Sequence, residues 1–197
     1  MSTDHLTQIL TTATEYLSQP ESLKELFHQH RDGDPLPSGK ALKEIIELSR
    51  SILFPGFFGK STVNIRTLKY HIGVNIERLH KLLTDQIEAG LCFIDNEYRA
   101  NSNLTTRHHS KACEMASAFI SRMPEIREIL ATDIDATYDG DPAAESRGEI
   151  ISCYPVMRAL TNYRIAHELL IIGVPLIPRM ITEMAHSETG IDIHPAA

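Results

Sequence analysis

Histidine is the side chain best suited to moving protons or holding a metal near neutral pH, and the sequence contains 10 of them, four in two tight pairs, His28 with His30 and His108 with His109. A helical zinc pair uses an i, i+4 spacing that sets both rings on one face. Neither pair has it, and no cysteine or carboxylate stands in a fixed relation to either, so no metal site is expected. Arg164 and His167 fall at i and i+3 of one helical stretch, a spacing that resembles an anion or metal grip. The plainer expectation is structural, with Arg164 paired to a nearby carboxylate and His167 hydrogen-bonded at a subunit contact. Asp141 lies in DGDP, a sequence any type I turn accommodates, and Asp192 lies just before Pro195, so composition alone makes both turn residues. His194 stands one residue from the alternation that buries Ile193, and is expected at the surface or an interface rather than as a base. Cys92, Cys113 and Cys153 are far apart in apolar sequence, which predicts buried free thiols and neither a disulfide framework nor a CxxC knuckle. Met115, Met123, Met157, Met180 and Met184 fall on apolar stripes and read as packing. The glycines show no phosphate-loop pattern.

The elements that would carry these groups are helical. Leu6, Ile9, Leu10, Ala13 and Leu17 predict a surface helix from Asp4 to about Ser18 with one buried face, its start capped by Ser2, Thr3 or Asp4 and its end set by Pro20. Ser22 with Glu25 then forms a capping-box pattern ahead of Leu23, Leu26 and Phe27. RDGDPLP, Arg31 to Pro37, is a turn by composition, after which Ser38 caps a helix with the stripe Leu42, Ile45, Ile46, Ser49, Ile52 and Leu53, stopped by Pro55 and Gly56. Leu68, Ile72, Ile76, Leu79, Leu83 and Ile87 predict a longer helix from about Ile65 to Ala89. Gly90 stands at its C′ position, and Gly73 marks a close helix contact. Leu91 to Leu104 reads as a connection. Ala112, Met115, Ala116, Phe119 and Ile120 give a further helix, and Pro124 at N1 opens another with Ile126, Ile129, Leu130 and Ile134. Asp139 to Glu149 reads as a loop. Pro155 starts a helix with Val156, Leu160, Tyr163, His167 and Leu170 on or near one face, closed by Gly173, and a short helix fits between Pro178 and His186. Only at the end do Ile191, Ile193 and His194-Pro195-Ala196-Ala197 alternate, as the first edge of a β-structure whose partner strand is nowhere else in the chain.

With 197 residues, 42% of them hydrophobic, the chain can bury one sizeable core, or a smaller core plus an oligomer interface. A net charge of −7 without a basic stripe, and the absence of Trp, exclude nucleic acid as the expected partner. No stretch approaches the roughly 20 apolar residues of a membrane helix. The start lacks a signal-peptide pattern, so a cytoplasmic protein without membrane contact is expected.

Three segments then stand out in this order: DIDATYDGDPAA (Asp133 to Ala144), NYRIAHELL (Asn162 to Leu170) and GIDIHPAA (Gly190 to Ala197). In sequence and spacing they resemble serine O-acetyltransferases, and IDIHPAA resembles the phrase with which that family enters its left-handed parallel β-helix of hexapeptide repeats. SILFPGFFG (Ser51 to Gly59) resembles the longer amino-terminal extension of one bacterial branch. The resemblance implies a mainly α chain, with a helical domain over 1–187 divided into an extension, 1–60, and core and oligomerisation helices, 61–187. Residues 188–197 would be the start of a truncated β-helix. It implies acetyl transfer from acetyl-CoA to L-serine for cysteine synthesis, with no cofactor beyond the acyl donor. Asp192 then matches the carboxylate that orients the general-base histidine, and Asp141 an aspartate that holds the substrate serine, through its ammonium group. The base would lie about one coil beyond Ala197, with the CoA turns and the tail that docks onto cysteine synthase. Implied too is a homo-oligomer, a trimer or a dimer of trimers.

Two other readings compete. A stand-alone helical oligomerisation or docking module would need none of the acyl-transfer residues, and a histidine-dependent metalloprotein would purify with stoichiometric metal.

Overall fold

Apolar residues recurring every three or four positions need a common face, and the chain supplies it with helices. The computed structural model describes residues 3–24, 26–28, 34–59, 63–94 and 104–197, and the chain divides into two compact units, Met1–Asp32 and Gly33–Ala197.

The first unit holds α1 (Thr3–Leu17) and α2 (Pro20–Leu23). Within this unit nothing covers the expected buried face of α1: Leu6, Leu10 and Leu17 are 47%, 59% and 68% exposed. A four-residue turn of helix is too little surface to cover the stripe. Pro20 does not merely end α1 but begins α2 at its first position, where its fixed φ suits a helix start. The Ser22 hydroxyl donates back to the Gln19 carbonyl at 2.8 Å instead of capping a following helix. Lys24 turns left-handed, φ 44°, leaving Leu26 and Phe27 exposed outside any helix. Glu25, the other half of that capping pattern, lies outside the described residues.

The second unit contains α3 (Gly39–Leu53), α4 (Leu68–Ile94), α5 (Leu104–Gly140), α6 (Arg147–Cys153), α7 (Pro155–Ile172) and α8 (Ile177–Thr189). Helix α5 runs between α4 and α7, with α3 against α4 and α8 against α7. Phe119 and Leu130 of α5, Leu83 and Ile87 of α4, and Ile165 and Leu169 of α7 are all fully buried there. Ser38 caps α3 by accepting the Ala41 N–H at 3.3 Å.

Several boundaries differ from the sequence reading, each for a physical reason. Helix α4 does not stop before Gly90 but continues to Ile94. A Cβ at Gly90 would lie 3.0 Å from the Pro175 carbonyl oxygen, so the glycine serves a close approach of the α7–α8 turn rather than a helix end. At Gly73 a Cβ would meet nothing within 4 Å, so no helix contact explains it. Of the Leu91 to Leu104 connection, residues 95–103 lie outside the described residues.

Pro124 does not open a new helix; it lies inside α5. The apolar stripe runs in phase through it, Met115 and Phe119 before and Met123, Ile126 and Leu130 after, all buried. Packing of that stripe outweighs the backbone hydrogen bond that proline cannot donate. Since proline inside a helix costs about 3 kcal/mol relative to alanine, Pro124→Ala is expected to raise the urea unfolding free energy by about 1–3 kcal/mol. A lowered midpoint would show that the proline ring is itself needed.

The expected loop from Asp139 to Glu149 is shorter. Helix α5 reaches Gly140, and α6 starts at Arg147, where Ser146 Oγ accepts the Glu149 N–H at 3.1 Å. The Glu149 carboxylate reaches back to the Glu145 N–H at 2.7 Å, close to a reciprocal capping box. In α7 the buried face is Met157, Thr161, Asn162, Ile165, Ala166 and Leu169. Val156, Leu160, Tyr163 and His167 are half-buried flanks, because α7 packs on α5 and α8 together. Only Cys92 is a buried thiol, Cys113 being half-buried and Cys153 exposed. Apart from one isolated bridge between Pro55 and Phe58, no β pairing occurs among the described residues.

Candidate functional site

Asp141 follows the last residue of α5, and its carboxylate does two things at once. Oδ1 accepts the Ala143 N–H at 2.9 Å, the turn bond that DGDP suggests. Oδ2 accepts the Tyr154 hydroxyl at 2.7 Å across the intervening α6. Both donors favour the ionised acid, and the Tyr154 bond, the stronger influence, holds the carboxyl below its ordinary range.

Arg164, on α7, makes a two-pronged pair with Asp133 of α5, Nε to Oδ2 at 3.1 Å and Nη2 to Oδ1 at 2.9 Å. The guanidinium is thereby raised above its ordinary pKa, by hydrogen bonding first. His167 Nδ1 is 2.8 Å from the Pro195 carbonyl, so that nitrogen carries the proton. Tyr163 donates to the Ala197 carbonyl. Together they lay residues 195–197 along α7.

Asp192 follows α8 and is exposed; its Oδ1 stands 4.0 Å from His186 Nδ1, beyond hydrogen-bond range. His194 is exposed and accepts the Ala196 N–H on Nδ1 at 3.1 Å. Asp141 and Asp192 keep separate partners, yet both belong to one end of the α7–α8 hairpin. Tyr154, the partner of Asp141, immediately precedes α7, and Arg158 in the next turn pairs with Glu188, in the last turn of α8. The same Arg158 reaches Glu47 of α3 at 2.9 Å, while Lys43 of α3 stands 3.6 Å from Glu188. Burial works against the Arg158 cation, but its hydrogen bonds to Glu188 and Glu47 leave its pKa raised. This charge network ties the hairpin end to α3.

A polar cluster that no sequence spacing announces lies between α3 and α4. Ser51 Oγ is 3.1 Å from His71 Nε2, and Asn75 Nδ2 is 3.1 Å from the same nitrogen. A cavity of about 810 Å³ borders it. Serine hydroxyl and amide thus meet at one imidazole nitrogen, which ties α3 to α4. Elsewhere His109 Nδ1 pairs with Glu88 at 2.7 Å, which raises the imidazole pKa, chiefly through that hydrogen bond. His28 is exposed, and His30 lies outside the described residues. Among the described residues no three His, Cys, Asp or Glu side chains converge as a metal site requires. No helix among them is long and apolar enough to cross a membrane.

No family model matches the chain. It is 42% identical over 164 residues to a plasmid-borne serine acetyltransferase of Synechococcus elongatus, a match covering 83% of this chain and 51% of that protein. A serine acetyltransferase of Synechocystis is 40% identical over 68 residues, 34% of this chain and 27% of that one. Among solved structures, serine acetyltransferase 1 of Entamoeba histolytica in complex with L-cysteine superposes with a TM-score of 0.61 at 30% identity, covering 92% of this chain and 57% of that chain. Isoform 3 of the same organism, also with cysteine, gives 0.61 at 28% identity over 96% of this chain and 57% of that one. The chain thus spans about half the length of the relatives that match most of it. In sequence and in helical architecture the chain is thus similar to the serine acetyltransferases, which it matches through a mainly helical domain.

Proposed function

We propose that this chain is the helical part of a serine O-acetyltransferase, which moves the acetyl group of acetyl-CoA to the hydroxyl of L-serine and yields O-acetyl-L-serine and CoA for cysteine synthesis. The observation that carries the reading is the 42% identity over 164 residues to the Synechococcus protein. An alcohol is a poor nucleophile until its proton is being removed, so the reaction needs a base at the serine hydroxyl. As the serine oxygen attacks the thioester carbonyl, its proton passes to that base and then to the departing CoA sulfur. In this reading Asp192 orients the base, a histidine supplied from outside residues 1–197, and Asp141 receives the ammonium of the substrate. The exposed Asp192 carboxylate, 4.0 Å from His186, suits the first role. The ionised Asp141 suits the second.

The same reading takes residues 1–187 as the helical domain, with 1–60 as its extension, and 188–197 as the entry to a left-handed β-helix. It requires no cofactor beyond the acyl donor and places the protein in the cytoplasm. The exposed α1 stripe of Leu6, Ile9, Leu10 and Leu17 supports assembly into a homo-oligomer, a trimer or dimer of trimers. Cysteine synthase would dock on a segment outside these residues.

A fusion at Ala197 to the carboxy-terminal half of the Synechococcus relative tests it. The fusion is expected to release CoA thiol from acetyl-CoA only when L-serine is present, and to sediment as an oligomer. Residues 1–197 alone are expected to release none. A folded, oligomeric fusion without serine-dependent release would overturn the assignment.

A further inference from the structure

A carboxylate that receives a substrate ammonium must be ionised, and must keep lone pairs turned toward the place the ammonium will occupy. Asp141 meets both conditions because two donors of its own chain approach it, one on each oxygen: Ala143 N–H at 2.9 Å on Oδ1 and the Tyr154 hydroxyl at 2.7 Å on Oδ2. Each carboxylate oxygen accepts two bonds, so one site on each remains for a ligand.

Tyr154 is unusually well placed to set that geometry. It is the residue between α6 and α7, closing one and preceding the other, with extended backbone at φ −79° and ψ 123°. Its N–H donates to the Ile150 carbonyl at 3.2 Å, and Pro155 behind it restricts the same backbone to extended conformations. The ring packs at the edge of the core. Backbone and ring are therefore fixed by groups that have nothing to do with Asp141, and the hydroxyl is delivered to the carboxylate from a rigid base.

We infer that Tyr154 is a positioning residue for the amino-acid substrate: its hydroxyl fixes the Asp141 carboxylate so that its free lone pairs face the ammonium. The inference rests on the reading of Asp141 given above. The phenol is pushed up to about 12, by the Asp141 bond first and then by burial, and Glu149 and Cys153 push in the same direction. It therefore remains a donor throughout the range in which an enzyme of neutral pH works. Asp141 in turn owes its lowered pKa first to this hydroxyl and then to the Ala143 amide.

Tyr154→Phe removes one donor and keeps the ring. In the acetyltransferase that carries this helical domain, it is expected to raise the KM for L-serine about tenfold, the worth of one charge-assisted hydrogen bond. The kcat and the KM for acetyl-CoA should change by less than about twofold, because the lost interaction serves only ground-state holding of the amino acid. Asp141→Asn is expected to raise the serine KM at least as much, and adding Tyr154→Phe to it should do nothing further, since the hydroxyl acts through the carboxylate. Residues 1–197 give a second readout that does not depend on turnover: carbon-13 titration of the Asp141 carboxyl should show its pKa higher in Tyr154→Phe. An additive double variant, an unchanged serine KM in Tyr154→Phe, or an unmoved Asp141 titration would each overturn the inference. The two failures separate cleanly. If Asp141→Asn leaves the serine KM unchanged, the role of Asp141 falls and that of Tyr154 falls with it. If Asp141→Asn raises it and Tyr154→Phe does not, only the role of Tyr154 falls.

Discussion

Under the proposed acetyl transfer, Asp192→Asn in the fusion of residues 1–197 to the carboxy-terminal half of the Synechococcus relative is expected to lower kcat by about 10²–10⁴-fold while the KM for either substrate moves little. Asparagine has the shape of aspartate but offers an N–H where the carboxylate offers a lone pair. It would favour the wrong imidazole tautomer and withdraw the negative charge that steadies the imidazolium as serine loses its proton. The surroundings of Asp192 make the substitution clean. The side chain is about half exposed, 55%, and its nearest ionic neighbour, His186, stands at 4.0 Å, so little folding energy hangs on its charge. Steady-state CoA release at saturating serine and acetyl-CoA is the measurement, and a kcat within about threefold of the unsubstituted enzyme would remove Asp192 from the mechanism.

How far the sequence reaches differs between helices and site. Periodicity predicts α3 and the middle of α4 from residues such as Ile45 and Leu83, because one buried stripe per helix is written locally, residue by residue. Helix α7 is legible from Pro155 and Gly173 but not from its stripe, since Val156, Leu160 and Tyr163 are only half-buried. Boundaries follow less well. Pro124 is a stop signal by any local rule, yet Met123 and Ile126 on either side are both buried, and their packing decides the outcome. Gly90 looks like a helix end, but its reason lies in Pro175, far along the chain. The Ser146 and Glu149 spacing that starts α6 is present in the sequence as a capping pattern, although the surrounding DGDPAAES reads as loop. For the site, the turn around Asp141 is legible in DGDP, whereas the Tyr154 hydroxyl 13 residues away is not. The Ser51, His71 and Asn75 cluster joins residues 20 and 24 apart and follows no repeat. Roles for Asp141 and Asp192 come from family resemblance; spacing alone leaves them as turn residues.

Phe119→Ala is expected to cost about 3–5 kcal/mol of unfolding free energy, the range for deleting a buried aromatic ring and leaving its cavity. Phe119 has no exposed surface. It sits on the central helix α5, which is packed by α4 on one side and α7 on the other, so collapse around the void would have to move two helices at once. Dense interiors relax only in part. Chemical denaturation of residues 1–197 should show a lower midpoint with an unchanged slope. A loss below about 1 kcal/mol would mean that the three helices are not held together at this point.

At 37 residues, α5 is a strut of about 55 Å, and Asp141 is the first residue beyond its tip. The carboxylate thus sits directly at the end of the longest helix among the described residues. A small tilt of α5, caused by repacking far back along it, would swing the far end through a larger arc than it moves the buried middle. Core substitutions that leave the domain folded can therefore displace the Asp141 carboxylate from a distance, with the helix acting as a pointer that magnifies errors at its pivot.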